Sequence, residues 1–139
     1  MSPKLVSNIG GAFIYSENPL MLAEWYRKYL GIEFEAAPDL SAYYSSFYYL
    51  EESGGRKAYT AWSIIRSNNR PQHVRDKLFM INYRVFNADQ TVAHLRDLGL
   101  MVKGVETYPE GKFAWCCDPE GNDIELWEDT TQIPNTTLK

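Results

Sequence analysis

Phe113-Ala114-Trp115-Cys116-Cys117-Asp118-Pro119-Glu120-Gly121-Asn122-Asp123-Ile124-Glu125-Leu126-Trp127-Glu128 reads as two strands closed by a tight turn. Asp118–Asn122 supplies the turn: proline presets φ at one position and glycine accepts φ > 0 at another. The flanking residues 111–117 and 123–128 have strand composition. Side chains alternate between the two faces of a strand. Ile124 and Leu126 therefore read as core, and Asp123, Glu125 and Trp127 point the other way. Cys116 and Cys117 are neighbours, and neighbouring cysteines rarely bond to each other because the geometry is strained. With no metal-type cysteine spacing either, they read as free, buried structural thiols.

Working outward, residues 78–86 are strand-like. Asn87 then caps a helix, with Gln90 three residues on as in a capping box. Val92, Leu95 and Leu98 form its apolar face, Gly99 ends it, and residues 100–107 make another strand. The order is strand, helix, three strands. The same order occupies the first half. The apolar run 9–15 ends at Ser16-Glu17-Asn18-Pro19, a helix start with Asn18 as cap and proline in the first turn. Leu22, Trp25, Tyr26 and Tyr29 make one apolar face, and Gly31 closes the helix. Residues 32–36, 42–50 and 57–65 follow as strands, the last two joined by the turn Ser53-Gly54-Gly55. Leu30-Gly31-Ile32 corresponds to Leu98-Gly99-Leu100, and Asn18 to Asn87. The reading is an internal duplication within one domain, 1–139. Module one covers about 7–66, module two about 78–129, and 130–139 is a loose tail. Residues 66–77, with Asn68, Asn69 and Pro71, read as an exposed connection. The predicted class is α+β: two βαβββ modules forming curved mixed sheets around a concave pocket.

Composition narrows the function. The chain has 139 residues, 14 Lys+Arg against 18 Asp+Glu, and a net charge of −4. The acidic balance argues against a nucleic-acid partner. No apolar run approaches a membrane span of ~18 residues, and residues 1–10 lack the long apolar stretch of a signal peptide. A cytoplasmic protein with free thiols is the expectation. The unusual feature is 10 Tyr, 6 Phe and 4 Trp.

Strand alternation sorts these rings. Ile81, Tyr83 and Val85 face the second helix, and Met80, Asn82 and Arg84 face away. By the repeat, Gly11, Phe13 and Tyr15 share that outward face. The expected pocket is thus lined by Phe13, Tyr15, Met80, Asn82, Arg84, Glu125 and Trp127, with Trp62 from the strand 57–65. Such a mixture, mostly apolar with a few polar groups, is how small-molecule sites are built. Each residue also has a purely structural reading. Glu125 and Arg84 read equally well as an ion pair, Asn82 as a partner for backbone, and the rings as core or dimer interface. His73 and His94 read as solvated, and Arg66, Arg70, Arg75 and Lys77 as a solvated basic loop. No nucleophile elbow, P-loop, dinucleotide fingerprint or paired-histidine motif occurs.

The hairpin 113–128 resembles the closing hairpin of the vicinal oxygen chelate superfamily, the group of glyoxalase I, bleomycin-resistance proteins and extradiol dioxygenases. Ala23-Glu24-Trp25-Tyr26-Arg27-Lys28-Tyr29-Leu30-Gly31 resembles its first helix, and Phe79-Met80-Ile81-Asn82-Tyr83-Arg84-Val85 the start of its second module. The resemblance spans roughly residues 7–129 and implies paired modules, often as a homodimer. It also implies four metal-ligand positions. The first falls at Gly11, the third at Met80 and the fourth at Glu125; the second lies near 60–63, in a strand with no His, Asp, Glu or Cys. Glu125 alone is a ligand-type residue, and one carboxylate does not hold a catalytic divalent ion.

Two functions follow as expectations. The first is a metal-independent small-molecule binding protein of the glyoxalase/bleomycin-resistance type, with no cofactor. Phe13, Tyr15, Trp62 and Trp127 would sandwich a planar or hydrophobic ligand, and Asn82, Arg84 and Glu125 would orient its polar groups. The alternative is a lyase or isomerase with Glu125 as general base and Arg84 stabilising the anion. A divalent metal stays a disfavoured option, with His73 or a partner-subunit residue completing a site at Glu125.

Overall fold

The structure is a computed structural model that describes residues 9, 11–51, 54–55, 57–69 and 79–131. It divides into two compact units, Met1–Arg75 and Asp76–Lys139. His73, Arg70, Arg75, Lys77, most of the expected connection and most of the expected tail lie outside the described residues.

The first unit contains β1 (Gly11–Ser16), α1 (Pro19–Leu30), β2 (Glu35–Ala36), β3 (Ala42–Leu50) and β4 (Lys57–Arg66). Its sheet is open, in the order β1-β4-β3-β2. β1 runs parallel to β4, and the remaining pairs are antiparallel. Helix α1 starts as expected: the Asn18 side chain accepts from the Met21 amide, and Pro19 sits in the first turn. Gly31, at φ 68°, ends it and donates its amide to Arg27. The left-handed backbone there favours glycine. Pro19, Leu22, Ala23 and Tyr26 are the buried residues of α1, whereas Trp25 and Tyr29 are only half-buried. The strand expected at 32–36 shrinks to Glu35–Ala36, because the Ile32 amide is taken by the Tyr26 carbonyl as the helix closes. Ile14, Leu22, Tyr26, Trp62 and Ile64 form the core between helix and sheet.

The second unit contains β5 (Met80–Arg84), α2 (Ala88–Asp97), β6 (Lys103–Tyr108), β7 (Gly111–Cys117) and β8 (Asp123–Asp129). Its sheet, also open, has the order β5-β8-β7-β6, again with one parallel pair, β5 with β8. The two units are therefore similar βαβββ modules in an α+β fold. The Asn87 side chain accepts from the Gln90 amide and caps α2. Glu128 accepts from the Ala88 amide at 2.8 Å, and Lys112 pairs with Asp89 at 2.7 Å. Both contacts fasten the start of α2 to the sheet. Val92, Leu95, Ala114, Ile124 and Leu126 fill this unit's core.

The turn between β7 and β8 is built around a buried carboxylate. Asp118 Oδ1 accepts from the amides of Glu120 and Asn122, and Oδ2 accepts from the Asn122 side chain at 2.6 Å. Asn122 is buried with it. Both buried polar groups are thus satisfied locally.

Candidate functional site

Register arranges the helix-free face of module two in rows, because directly paired residues share a face. Met80, Asp123 and Cys117 form one row across β5, β8 and β7. Asn82, Glu125, Trp115 and Lys103 form the next, and Arg84, Trp127, Phe113 and Glu106 the third. Of the residues expected at the site, Met80, Asn82, Arg84, Glu125 and Trp127 all stand on this face.

Glu125 is the polar centre. One carboxylate oxygen accepts from Asn82 Nδ2 at 2.8 Å and the other from Trp115 Nε1 at 2.8 Å. The expected Arg84–Glu125 pair does not form. Arg84 pairs instead with Asp129 at 3.3 Å, and its guanidinium lies 5.1 Å over the Trp127 ring. The reason is the row spacing. Arg84 is opposite Trp127, two positions along β5 from Asn82, which is opposite Glu125. Planar guanidinium on an indole face is a favourable contact.

The rings form a continuous strip. Phe113 and Trp115 are stacked at 6.3 Å with an interplanar angle of 12°, and Phe113 and Trp127 at 6.3 Å and 10°. Tyr108 meets Phe113 edge-on at 5.8 Å, and Lys103 Nζ lies 5.7 Å from the Trp115 ring. Trp127 Nε1 donates to the Glu110 carbonyl, which locks the indole. Phe113, Trp115 and Lys103 are the residues that sequence reading missed. The signal was present: Phe113, Trp115 and Cys117 alternate with the buried Ala114 and Cys116.

Module one carries a matching face. Phe13, Ser63, Tyr44 and Glu35 share a row, next to a row of Gly11, Ala61 and Ser46. Phe13 is exposed and Tyr15 half-buried on this side. The Tyr44 hydroxyl bonds the Glu35 carboxylate, which pushes the phenol pKa above its usual value. Trp62 is a correction. It pairs with Ala12 on the opposite face, is 3% exposed, and packs on Tyr26 at 4.7 Å and Phe34 at 5.1 Å. It belongs to the core because β4 pairs with β1 in the register that sends Ser63, one residue on, to the face of Phe13.

That register also locates the remaining metal-type position. Met80 pairs with Asp123, and Glu125 follows two residues later; Gly11 pairs with Ala61, and Ser63 follows two residues later. The four positions are thus Gly11, Ser63, Met80 and Glu125. At the first, a side-chain carbon on Gly11 would stand 2.8 Å from Phe13 Cζ, so the ring covers that place. At the fourth, both Glu125 oxygens are engaged. Module by module, Gly11 and Ser63 offer no ligand-type side chain and Met80 and Glu125 only one carboxylate, so neither pair fits a hard or borderline divalent ion. Among the described residues, no three His, Cys, Asp or Glu side chains gather elsewhere as a metal cluster.

The cysteines split. Cys116 is buried, and burial pushes its thiol up to about 11. Cys117 is exposed, contrary to the expectation of two buried thiols, because alternation turns it to the helix-free face. Its Sγ lies 3.5 Å from Asp123 Oδ1. At this end of the sheet a cleft of about 900 Å³ opens, lined by Met80, residues 99–103, Trp115, Cys116, Cys117, Asp123 and Ile124.

No family model matches the chain, and no curated protein matches it. Solved structures do. TnmS3, an antibiotic binding protein from Streptomyces sp. CB03234, is 18% identical over 92% of this chain and 100% of its own, with a TM-score of 0.68. A glyoxalase/bleomycin resistance protein/dioxygenase superfamily member from Sphaerobacter thermophilus is 18% identical over 91% and 100%, with a TM-score of 0.66. The fold is that of the vicinal oxygen chelate proteins. Lactoylglutathione lyase from Agrobacterium tumefaciens shares it at 15% identity over 90% and 96%, with a TM-score of 0.65. Binding proteins and enzymes both use this scaffold, so function rests on the site's own chemistry. Among the described residues, no helix is long and apolar enough to cross a membrane.

Proposed function

We propose that this protein binds a small planar, hydrophobic molecule against the helix-free face of module two, without a metal ion. The observation that carries the reading is the strip Trp115–Phe113–Trp127, three nearly parallel rings beside a Glu125 carboxylate held by two donors. Rings supply contact area at small cost in side-chain freedom. Glu125 retains lone pairs for a ligand N–H or O–H, and Arg84, 66% exposed, is placed for an acceptor. Neither Gly11 and Ser63 in module one nor Met80 and Glu125 in module two supply the donors of a divalent ion, which supports binding without one. The antibiotic binding protein of the same fold adds support for a binding role. A homodimer in the cytoplasm is part of the same proposal.

The lyase or isomerase reading is the weaker one. Arg84, the expected anion stabiliser, stands opposite Trp127 rather than Glu125 and pairs with Asp129.

The test is a thermal-shift and tryptophan-fluorescence screen with planar aromatic antibiotics and metabolites. At least one compound raises the melting temperature in a concentration-dependent way. Trp127→Ala and Trp115→Ala each weaken its binding about tenfold, an order set by ring stacking worth ~1–1.5 kcal/mol. A panel with no stabilising compound, or ring variants that bind like the parent, overturns the reading.

A further inference from the structure

Methionine and cysteine side chains are usually interior. At one end of module two they are not. Met101 is 90% exposed, Met80 is 46% exposed and Cys117 is exposed. All three line the same cleft of about 900 Å³. The chain has 4 Met and 2 Cys, and four of these six line one hollow: Met80, Met101, Cys117 and the buried Cys116. Register strengthens the point. Met80 pairs with Asp123 and Asp123 with Cys117. Met80 and Cys117 therefore stand two strands apart, about 10 Å between α-carbons, within the joint reach of both side chains to one ion between them.

We propose that this cleft is a site for a soft monovalent metal ion, Cu(I) or Ag(I), held by the Cys117 sulfur and the thioethers of Met80 and Met101. Thiolate and thioether sulfur select soft ions over zinc, magnesium and calcium. Charge points to a monovalent ion. The cleft's own charges balance, Lys103 against Asp123, and one thiolate with one monovalent ion leaves that balance unchanged. Binding replaces the S–H bond of Cys117 with a sulfur–metal bond and releases the proton to solvent, with no change of oxidation state. Before the ion binds, the Cys117 S–H donates to Asp123 Oδ1 at 3.5 Å. The cleft shares Trp115 with the ring strip, and the silver titration and the aromatic-ligand screen test the two sites separately.

The experiment titrates Ag(I), in chloride-free buffer, into the full chain, reading heat and the quenching of Trp115, which lines the cleft. One Ag(I) binds per chain. Cys117→Ser removes the binding. Met80→Leu and Met101→Leu, which conserve volume, each weaken it about tenfold, the loss expected when one soft donor goes. Cys116→Ser leaves it unchanged, and equimolar Zn(II) does not displace the ion. Retained affinity in both methionine variants would mean a thiol acting alone and overturns the site. Binding that survives Cys117→Ser, or displacement by Zn(II), overturns it equally.

Discussion

Cys116 and Cys117 are adjacent in sequence and opposite in environment. Burial raises Cys116 from the ordinary 9.0 to about 11. Its thiol therefore favours the folded state while protonated, in full below pH 9, and that contribution is lost as pH rises through about 11. Urea midpoints measured from pH 8 to 11 should fall more steeply for the parent than for Cys116→Ala; parallel curves exclude the effect. In native protein, iodoacetamide should modify Cys117 and reach Cys116 only after unfolding, as read by peptide mass mapping. Glu125 is the other decisive residue. Glu125→Gln keeps the shape but presents an NH₂ to one of two donors, Asn82 Nδ2 or Trp115 Nε1. The cost should be about 1–2 kcal/mol of stability, read by denaturant titration.

At the scale of elements, helix starts and the closing turn are held by single side chains. Asn18 and Asn87 each accept an amide of the first helical turn, so either Asn→Ala change should cost about 1 kcal/mol. Asp118 is worth more. Its carboxylate is buried and accepts three hydrogen bonds, and Asp118→Ala should cost roughly 3 kcal/mol or more. A loss equal to that of the helix caps would show that the turn forms without it. These features were legible in the sequence because each depends on residues within four positions of each other. Trp62 was not. Its face depends on how β4 pairs with β1, across some fifty residues, and a shift by one position would exchange it with Ser63.

For the whole molecule, the contrast between Trp62 and Trp127 separates folding from binding. Trp62→Ala should cost about 3–5 kcal/mol, the range for a large buried ring, whereas Trp127→Ala should act chiefly on ligand affinity. Equilibrium unfolding and ligand titration on both variants check the division. Equal destabilisation by both would place Trp127 in the core. Chelation by EDTA should leave the affinity of any ligand found in the screen unchanged.

The amino-acid order by itself determined the duplicated βαβββ plan, the helix ends, the β7–β8 turn and the outward face of β5 and β8. Those features follow from hydrophobic period, capping and turn chemistry, all of short range. Tertiary structure decided the rest: Arg84 with Asp129 rather than Glu125, Trp62 in the core, Ser63 at the second ligand-type position, and the ring strip completed by Phe113 and Trp115. Each of these depends on strand register and on side chains from different strands meeting in space, which local sequence pattern does not specify.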